Sequence, residues 1–171
     1  MSFKNIYLCL VLLASFILPV HAKDIGFQLN AAEQVQQKLN HYAPDKEIRK
    51  ITITSREALQ IARKQLGLTF KKSTPLAQGD QFFVQFPDQS HETQIATLVF
   101  SYDSRRSAEA QTSSLKSRRG YFRNTKILTR FAYGVVDNQV VVIFTENAGD
   151  EKLIKIIEDL ASSLTANQRQ K

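Results

Sequence analysis

The sequence predicts an α+β domain in which an antiparallel sheet of about five strands has helices packed mainly on one face, as a two-layer sandwich. Apolar residues alternate with a period of two in several short segments, which is typical of strands, and recur at helical spacing in others. Two strand–strand–helix units follow one another, over residues 81–117 and 126–164, and a strand and a helix precede them. Strands joined by short turns pair antiparallel, so these units favour this class.

The first 22 residues are typical of a cleavable secretory signal. Lys4 supplies a positive charge, an apolar run extends from Ile6 to Val20, and small side chains stand at the positions that a signal peptidase reads, ending with Ala22. The run of about 15 residues is shorter than the roughly 20 that cross a hydrocarbon core, which disfavours an uncleaved anchor. We expect cleavage after Ala22 and export, with a bacterial periplasm as the favoured compartment.

The chain after the signal is long enough for one hydrophobic core. Residues 23–49 are expected to form an N-terminal segment with one surface helix, residues 50–165 a single α+β domain, and residues 166–171 a frayed tail. Cys9 is the only cysteine and lies within the signal, so the exported chain has neither a disulfide nor a thiol nucleophile. Its stability is expected to come from packing.

The first helix is predicted from Asn30, which forms a capping box with Glu33, and it ends before Pro44. Its apolar stripe is thin, so we expect the helix to lie across the surface of the core. Ile51 and Ile53 alternate with threonines and predict a short strand after a charged connection.

The second helix is predicted over residues 56–66. Ser55 is in place to cap its N-terminus, and several leucine, isoleucine and alanine residues form an apolar face. Gly67 stands where a helix commonly ends with a residue in the left-handed conformation, so we expect a positive φ there.

Two β-hairpins are predicted in the rest of the chain. In the first, a strand over 81–86 is followed by a longer strand over 95–102. In the second, strands over 127–133 and 140–144 flank a tight turn at Asp137-Asn138. The last of these strands is apolar on both faces, so it is expected to lie in the interior of the sheet.

The third and fourth helices differ in the strength of their apolar patterns. Asp103 or Ser104 can cap the third helix, which runs to about Ser117 with a weak apolar side. Asp150 caps the fourth helix, which has a continuous apolar face. The residues of that face are Leu153, Ile157, Leu160 and Leu164.

Positive charge is concentrated in one part of the chain. The sequence has 23 Lys and Arg against 16 Asp and Glu, and the stretch 105–130 holds eight basic residues with Glu109 as its only acid. Arginine suits bidentate binding of carboxylate and phosphate groups. The candidate anion- or partner-binding residues are Arg105, Arg106, Lys116, Arg118, Arg119, Arg123, Lys126 and Arg130. The alternative is that this stretch is a solvated, charged surface.

No linear motif predicts catalysis. The string Gly-x-Ser-x-Gly is absent, the glycines are dispersed, and the pair His91-Glu92 lacks the second histidine that would share a metal. We therefore expect no catalytic residue, no cofactor, no cofactor-binding residue and no metal ligand. Acids at strand ends could still meet in space, as they do in glycosidases. These acids are Glu92, Asp103, Asp137 and Glu146.

Three classes of function remain open, of which the first is favoured. The first is an exported, non-catalytic binding or accessory protein whose basic stretch holds an acidic protein, an anionic glycan or a lipid surface. Nucleic acid is disfavoured as a partner because the signal directs the chain out of the cytoplasm. The second is a small envelope hydrolase that uses non-contiguous carboxylates. The third is an inhibitor or assembly subunit that buries apolar surface through the first helix and Tyr42.

Overall fold

The fold is taken from a computed structural model. It describes residues 31–70, 75–86, 90–124, 130–146 and 151–166. Within these ranges the chain forms four helices and a five-stranded antiparallel sheet, so the predicted α+β class is confirmed. The predicted signal and its cleavage point after Ala22 lie outside the described residues, as do Asn30, Asp150 and the tail after Ala166.

The elements follow one another in the predicted order. The helices are α1 (31–42), α2 (Ser55–Lys64), α3 (Arg105–Asn124) and α4 (Glu151–Ala166). The strands are β1 (Arg49–Ile53), β2 (Leu76–Val84), β3 (Thr93–Ser101), β4 (Arg130–Val136) and β5 (Gln139–Thr145). The sheet order is β1-β2-β3-β5-β4, and all neighbours are antiparallel. Strand β5 is interior, as predicted, and all of its residues are buried.

Helices pack on both faces of the sheet, so the prediction of a two-layer sandwich with helices mainly on one face is wrong. Leu98 of β3 packs with buried residues of α2 and α3, whereas the next residue, Val99, packs with buried residues of α1 and α4. Successive side chains of a strand point to opposite faces, so the two clusters lie on opposite sides of the sheet. We call these sides the α2–α3 face and the α1–α4 face.

Helix α2 begins one residue earlier than its predicted cap implies. The N-cap is Thr54 and not Ser55, because the Thr54 hydroxyl accepts from the Glu57 backbone N–H while the Glu57 carboxylate accepts from the Thr54 N–H at 2.8 Å. The Glu57 carboxylate also accepts from the Thr54 hydroxyl at 2.8 Å. The two hydrogen bonds that this carboxylate accepts, chiefly the one from the Thr54 backbone, lower the pKa of Glu57. At the other end of the helix Gly67 has a φ of +61°, as predicted.

Strand β2 begins at Leu76, five residues before the predicted start at Gln81. The added segment contains Gly79 and Asp80, two residue types that are depleted in strands. Asp80 is nevertheless buried, and its carboxylate accepts a hydrogen bond of 2.7 Å from the Thr52 hydroxyl on β1. Tertiary contacts with β1 therefore support strand structure where the local sequence does not.

Helix α1 is joined to α4 by a polar cluster at the surface. Lys38 Nζ and the Tyr42 hydroxyl each donate to Asp159 Oδ2 at 3.0 Å. These two hydrogen bonds lower the pKa of the Asp159 carboxyl, and the one from Lys38 has the larger effect. Below this cluster Val35 and Leu39 are fully buried, so α1 lies on the sheet through a narrow apolar stripe.

Replacing Asp159 with Asn is expected to lower the free energy of unfolding by less than about 1 kcal/mol, because the Lys38 and Asp159 side chains are 38% and 49% exposed. The pKa of Asp159 is lower in the folded state than in the unfolded state. The contribution of Asp159 to the free energy of unfolding is therefore present above the pKa of the unfolded state, about 4. It is lost as pH falls through the lower pKa of the folded state. Thermal unfolding of Asp159→Asn and wild type should differ near neutral pH and converge in acid, whereas a constant difference would contradict this account. Glu33→Gln on α1 is the control.

Candidate anion-binding surface

Most of the predicted anion-binding residues lie on one helix. Helix α3 ends at Asn124 and not near Ser117, because it continues through Gly120, which the sequence analysis placed in a connection. Six of the eight candidates therefore belong to α3: Arg105, Arg106, Lys116, Arg118, Arg119 and Arg123. Arg130 is the first residue of β4 and is half-buried. Lys126 and the side chain of Arg123 lie outside the described part of the chain.

Two of these arginines form ion pairs within the protein. Arg105 Nε donates to Glu109 Oε1 at 2.8 Å, one helical turn away. Arg119 pairs with Glu158 of α4, so it links helices that pack on opposite faces of the sheet. An arginine that is already paired with a carboxylate contributes less to binding a new anion. The carboxylates also offset their charge, so these two residues are less available to bind an anion than an unpaired arginine.

Arg118 has a structural contact with the end of α2. A Cβ atom built at Gly67 would lie 3.1 Å from Cζ of Arg118, so the guanidinium covers this glycine closely. A cation beside the C-terminus of a helix interacts favourably with the helix dipole. Because Arg118 and Arg119 both hold parts of the fold together, replacing them would change packing as well as charge.

Arg106 and Lys116 are exposed on α3. Among the described residues neither has a carboxylate within ion-pair distance. At 100° per residue, Arg106 lies on the side of the helix opposite buried Ala108 and Leu115, and Lys116 lies on its flank, about 90° from them. They are the α3 candidates whose side chains are best placed to meet a partner.

The two faces of the sheet differ strongly in charge. Helix α2 has three cations and one anion, and α3 has six cations and one anion, so the helices of the α2–α3 face have a net charge of +7. Helix α1 has one residue of each sign over 31–42, and α4 has two cations and three anions, so the helices of the α1–α4 face have a net charge of −1. The basic character of the chain is therefore concentrated on one side of the sheet.

A groove of about 610 Å³ runs along α2 on the basic side of the sheet. The described residues that line it all belong to α2: Ser55, Arg56, Leu59, Gln60, Arg63 and Lys64. Sequence reasoning missed this site because α2 lies outside the stretch with the highest density of charge. The spacing of Arg56 and Arg63 could have indicated it, because residues seven apart lie on the same side of a helix.

The four acids considered for hydrolysis do not meet at one site but lie in two sets. Glu92 precedes β3 and Glu146 follows β5, which places them at one end of the antiparallel pair. Asp103 follows β3 and Asp137 precedes β5, at the other end. The nine residues of β3 separate these ends by about 27 Å. In addition, Glu92 is paired with Arg49 at 3.1 Å.

Two further features concern metals and membranes. No group of three or more His, Cys, Asp and Glu side chains that could hold a metal occurs in the part of the chain that the structure describes. Over the same described ranges, no helix has both the length and the hydropathy needed to cross a bilayer.

No protein-family model matches the chain, and no curated protein matches it in sequence. Among solved structures, the chain is similar to the crystal structure of the extracellular domain of PknH from Mycobacterium tuberculosis, with 10% sequence identity. The match covers 81% of this chain and 91% of that chain, with a TM-score of 0.43. A similarity at this TM-score carries no argument about the activity or partners of this chain.

Proposed function

We propose that this chain is an exported, non-catalytic binding or accessory protein of the cell envelope, and that its α2–α3 face binds an anionic partner. The observation that carries the proposal is the difference in helix charge between the two faces, +7 against −1. A basic face attracts acidic proteins, anionic glycans and anionic lipids alike. Cleavage after Ala22 and release into a bacterial periplasm are part of the same proposal.

Within this face, the binding groups that we propose on α3 are Arg106 and Lys116. Arg123, Lys126 and Arg130 remain candidates from the sequence. Arg105, Arg118 and Arg119 are less available to a ligand, because their side chains have contacts within the protein.

The two other classes of function receive less support. A hydrolase of this class needs two carboxylates about 5–10 Å apart, so each end of the β3–β5 pair would have to supply its own site. At one end Glu92 is already paired with Arg49 at 3.1 Å, and at the other end Asp103 and Asp137 are both exposed.

Association through the first helix needs an apolar surface, but Val35 and Leu39 are buried against the sheet. Tyr42 donates its hydroxyl to Asp159, so this side chain already has a partner.

The test replaces Arg106 and Lys116 with Gln in the exported form of the chain. Exposed charges contribute little to stability, so the double variant should unfold within about 1 kcal/mol of wild type. Binding to three defined probes, which are polyglutamate, heparin and phosphatidylglycerol vesicles, is measured at low and high salt. We expect wild type to bind at least one probe with an affinity that falls as salt rises, and the double variant to bind it more weakly.

The matched control makes the same change of charge at Lys46 and Lys155, which lie outside α2 and α3 and are exposed. If the control loses as much affinity as the α3 variant, binding depends on net charge and not on this face. If wild type binds none of the three probes at low salt, the proposed function is wrong.

A further inference from the structure

We infer that the groove along α2 binds an acidic segment of a polypeptide. This inference rests on the proposal that the α2–α3 face binds anions, and it adds the place and the class of ligand. The groove has a volume of about 610 Å³ and is open to solvent along the helix, as a site for an extended chain must be. Its described lining has three cations, Arg56, Arg63 and Lys64, and no acid.

The cations of the groove are available to a ligand. Among the described residues, Arg56, Arg63 and Lys64 have no carboxylate within ion-pair distance. The only acid of α2 is Glu57. Its carboxylate accepts hydrogen bonds from both the N–H and the hydroxyl of Thr54 at 2.8 Å, so it lies at the start of the helix. An anion entering the groove therefore does not have to displace an internal partner within the described chain.

The spacing of the two arginines fits an extended chain. Arg56 and Arg63 are seven residues apart on a helix, which separates their backbones by about 10 Å. In a polyproline II segment, residues three positions apart lie on the same side and are separated by about 9 Å. Acidic residues at this spacing would reach both guanidinium groups, each of which can bind a carboxylate with two parallel hydrogen bonds.

The uncharged side chains of the groove favour a polypeptide over a phosphate or sulfate polymer. The Gln60 amide and the Ser55 hydroxyl can each donate and accept hydrogen bonds. A peptide backbone offers both donors and acceptors, whereas a phosphate or sulfate backbone offers mainly acceptors. Leu59 is half-buried in the lining and provides an apolar contact for an aliphatic side chain between the acids.

One of the arginines is oriented before any ligand binds. The guanidinium carbon of Arg63 lies 5.8 Å from the centre of the Phe70 ring, a cation–π contact. A side chain that is already restricted loses less entropy when it binds. We therefore expect Arg63 to contribute at least as much to binding as Arg56.

The experiment titrates a short fluorescent peptide, rich in glutamate with interspersed leucine, into the whole exported chain and follows fluorescence anisotropy. The variant is Arg56→Gln with Arg63→Gln, and we expect it to bind the peptide about tenfold more weakly than wild type with an unchanged melting temperature. The same peptide with glutamine in place of glutamate should not bind. Amide chemical shifts of α2 should move when the acidic peptide is added to wild type.

The outcomes separate this inference from the proposed function. If Arg106→Gln with Lys116→Gln weakens peptide binding and the α2 variant does not, the groove is not the site, although the basic face still binds anions. If polyphosphate or phosphatidylglycerol vesicles displace the peptide and depend more strongly on Arg56 and Arg63, the ligand class is wrong. If neither variant nor salt changes peptide binding, both the inference and the proposed function are wrong.

Discussion

Leu160→Ala is expected to lower the free energy of unfolding by about 2–5 kcal/mol, a large share of the 5–15 kcal/mol that is usual for a domain. Leu160 is 1% exposed and lies on α4, in the cluster that joins this helix to α1 and to the sheet. Removing its branched end would leave a cavity in this cluster, which also contains Ile143 and Leu39 and whose members cannot all move to fill it.

Chemical denaturation monitored by circular dichroism measures this effect on Leu160→Ala. Lys155→Ala is a suitable control, because Lys155 is exposed on the same helix and lysine and alanine both favour helix formation. The control should shift the midpoint little. An unchanged midpoint for Leu160→Ala would mean that α4 does not pack on the sheet as described.

The second large effect is expected for Gly79→Ala in β2, with a loss of about 1–3 kcal/mol. A Cβ atom at this position would lie 2.8 Å from both Leu98 Cδ2 and the carbonyl oxygen of Thr97, and 3.0 Å from Cδ1 of Ile53. A side chain such as Leu98 can rotate, but the Thr97 carbonyl belongs to the backbone of the neighbouring strand. The strands must therefore separate locally.

Hydrogen exchange tests Gly79→Ala more specifically than stability alone. Because Ile53 packs over the glycine, the amides of β1 are expected to exchange faster in the variant, while those of β5 change less. Gln78→Ala places the same methyl group at the preceding, half-buried position of β2 and serves as the control. Equal stability of Gly79→Ala and wild type would show that the strands accommodate the methyl group without separating.

The sequence predicted the kind and order of the elements because each depends on local periodicity. The alternation in β2, the continuous apolar run of β5 and the apolar face of α4 were visible directly. The side of the sheet that each helix covers was not, because an amphipathic pattern identifies the buried face of a helix but not the surface that it meets. The start of β2 was missed because Gly79 and Asp80 are explained by contacts with β1 and β3, which are distant in sequence.

The basic surface was predicted only in outline. Counting charge along the chain identified α3, but it could not show that Arg119 has a partner in Glu158, which lies on another helix. The same count gave little weight to α2, where one acid offsets part of the charge. The capping box of Thr54 and Glu57 explains why that acid leaves the outer side of α2 basic.

The unequal charge of the helices on the two faces of the sheet gives these helices together an electric dipole directed across the sheet. A molecule of this kind experiences a torque near an anionic surface and turns its basic side towards that surface before contact. Such preorientation raises the rate of association more than it lengthens the life of the complex. We therefore expect substitutions that neutralise cations on α2 and α3 to lower the association rate constant. Raising the ionic strength should lower it for the same reason.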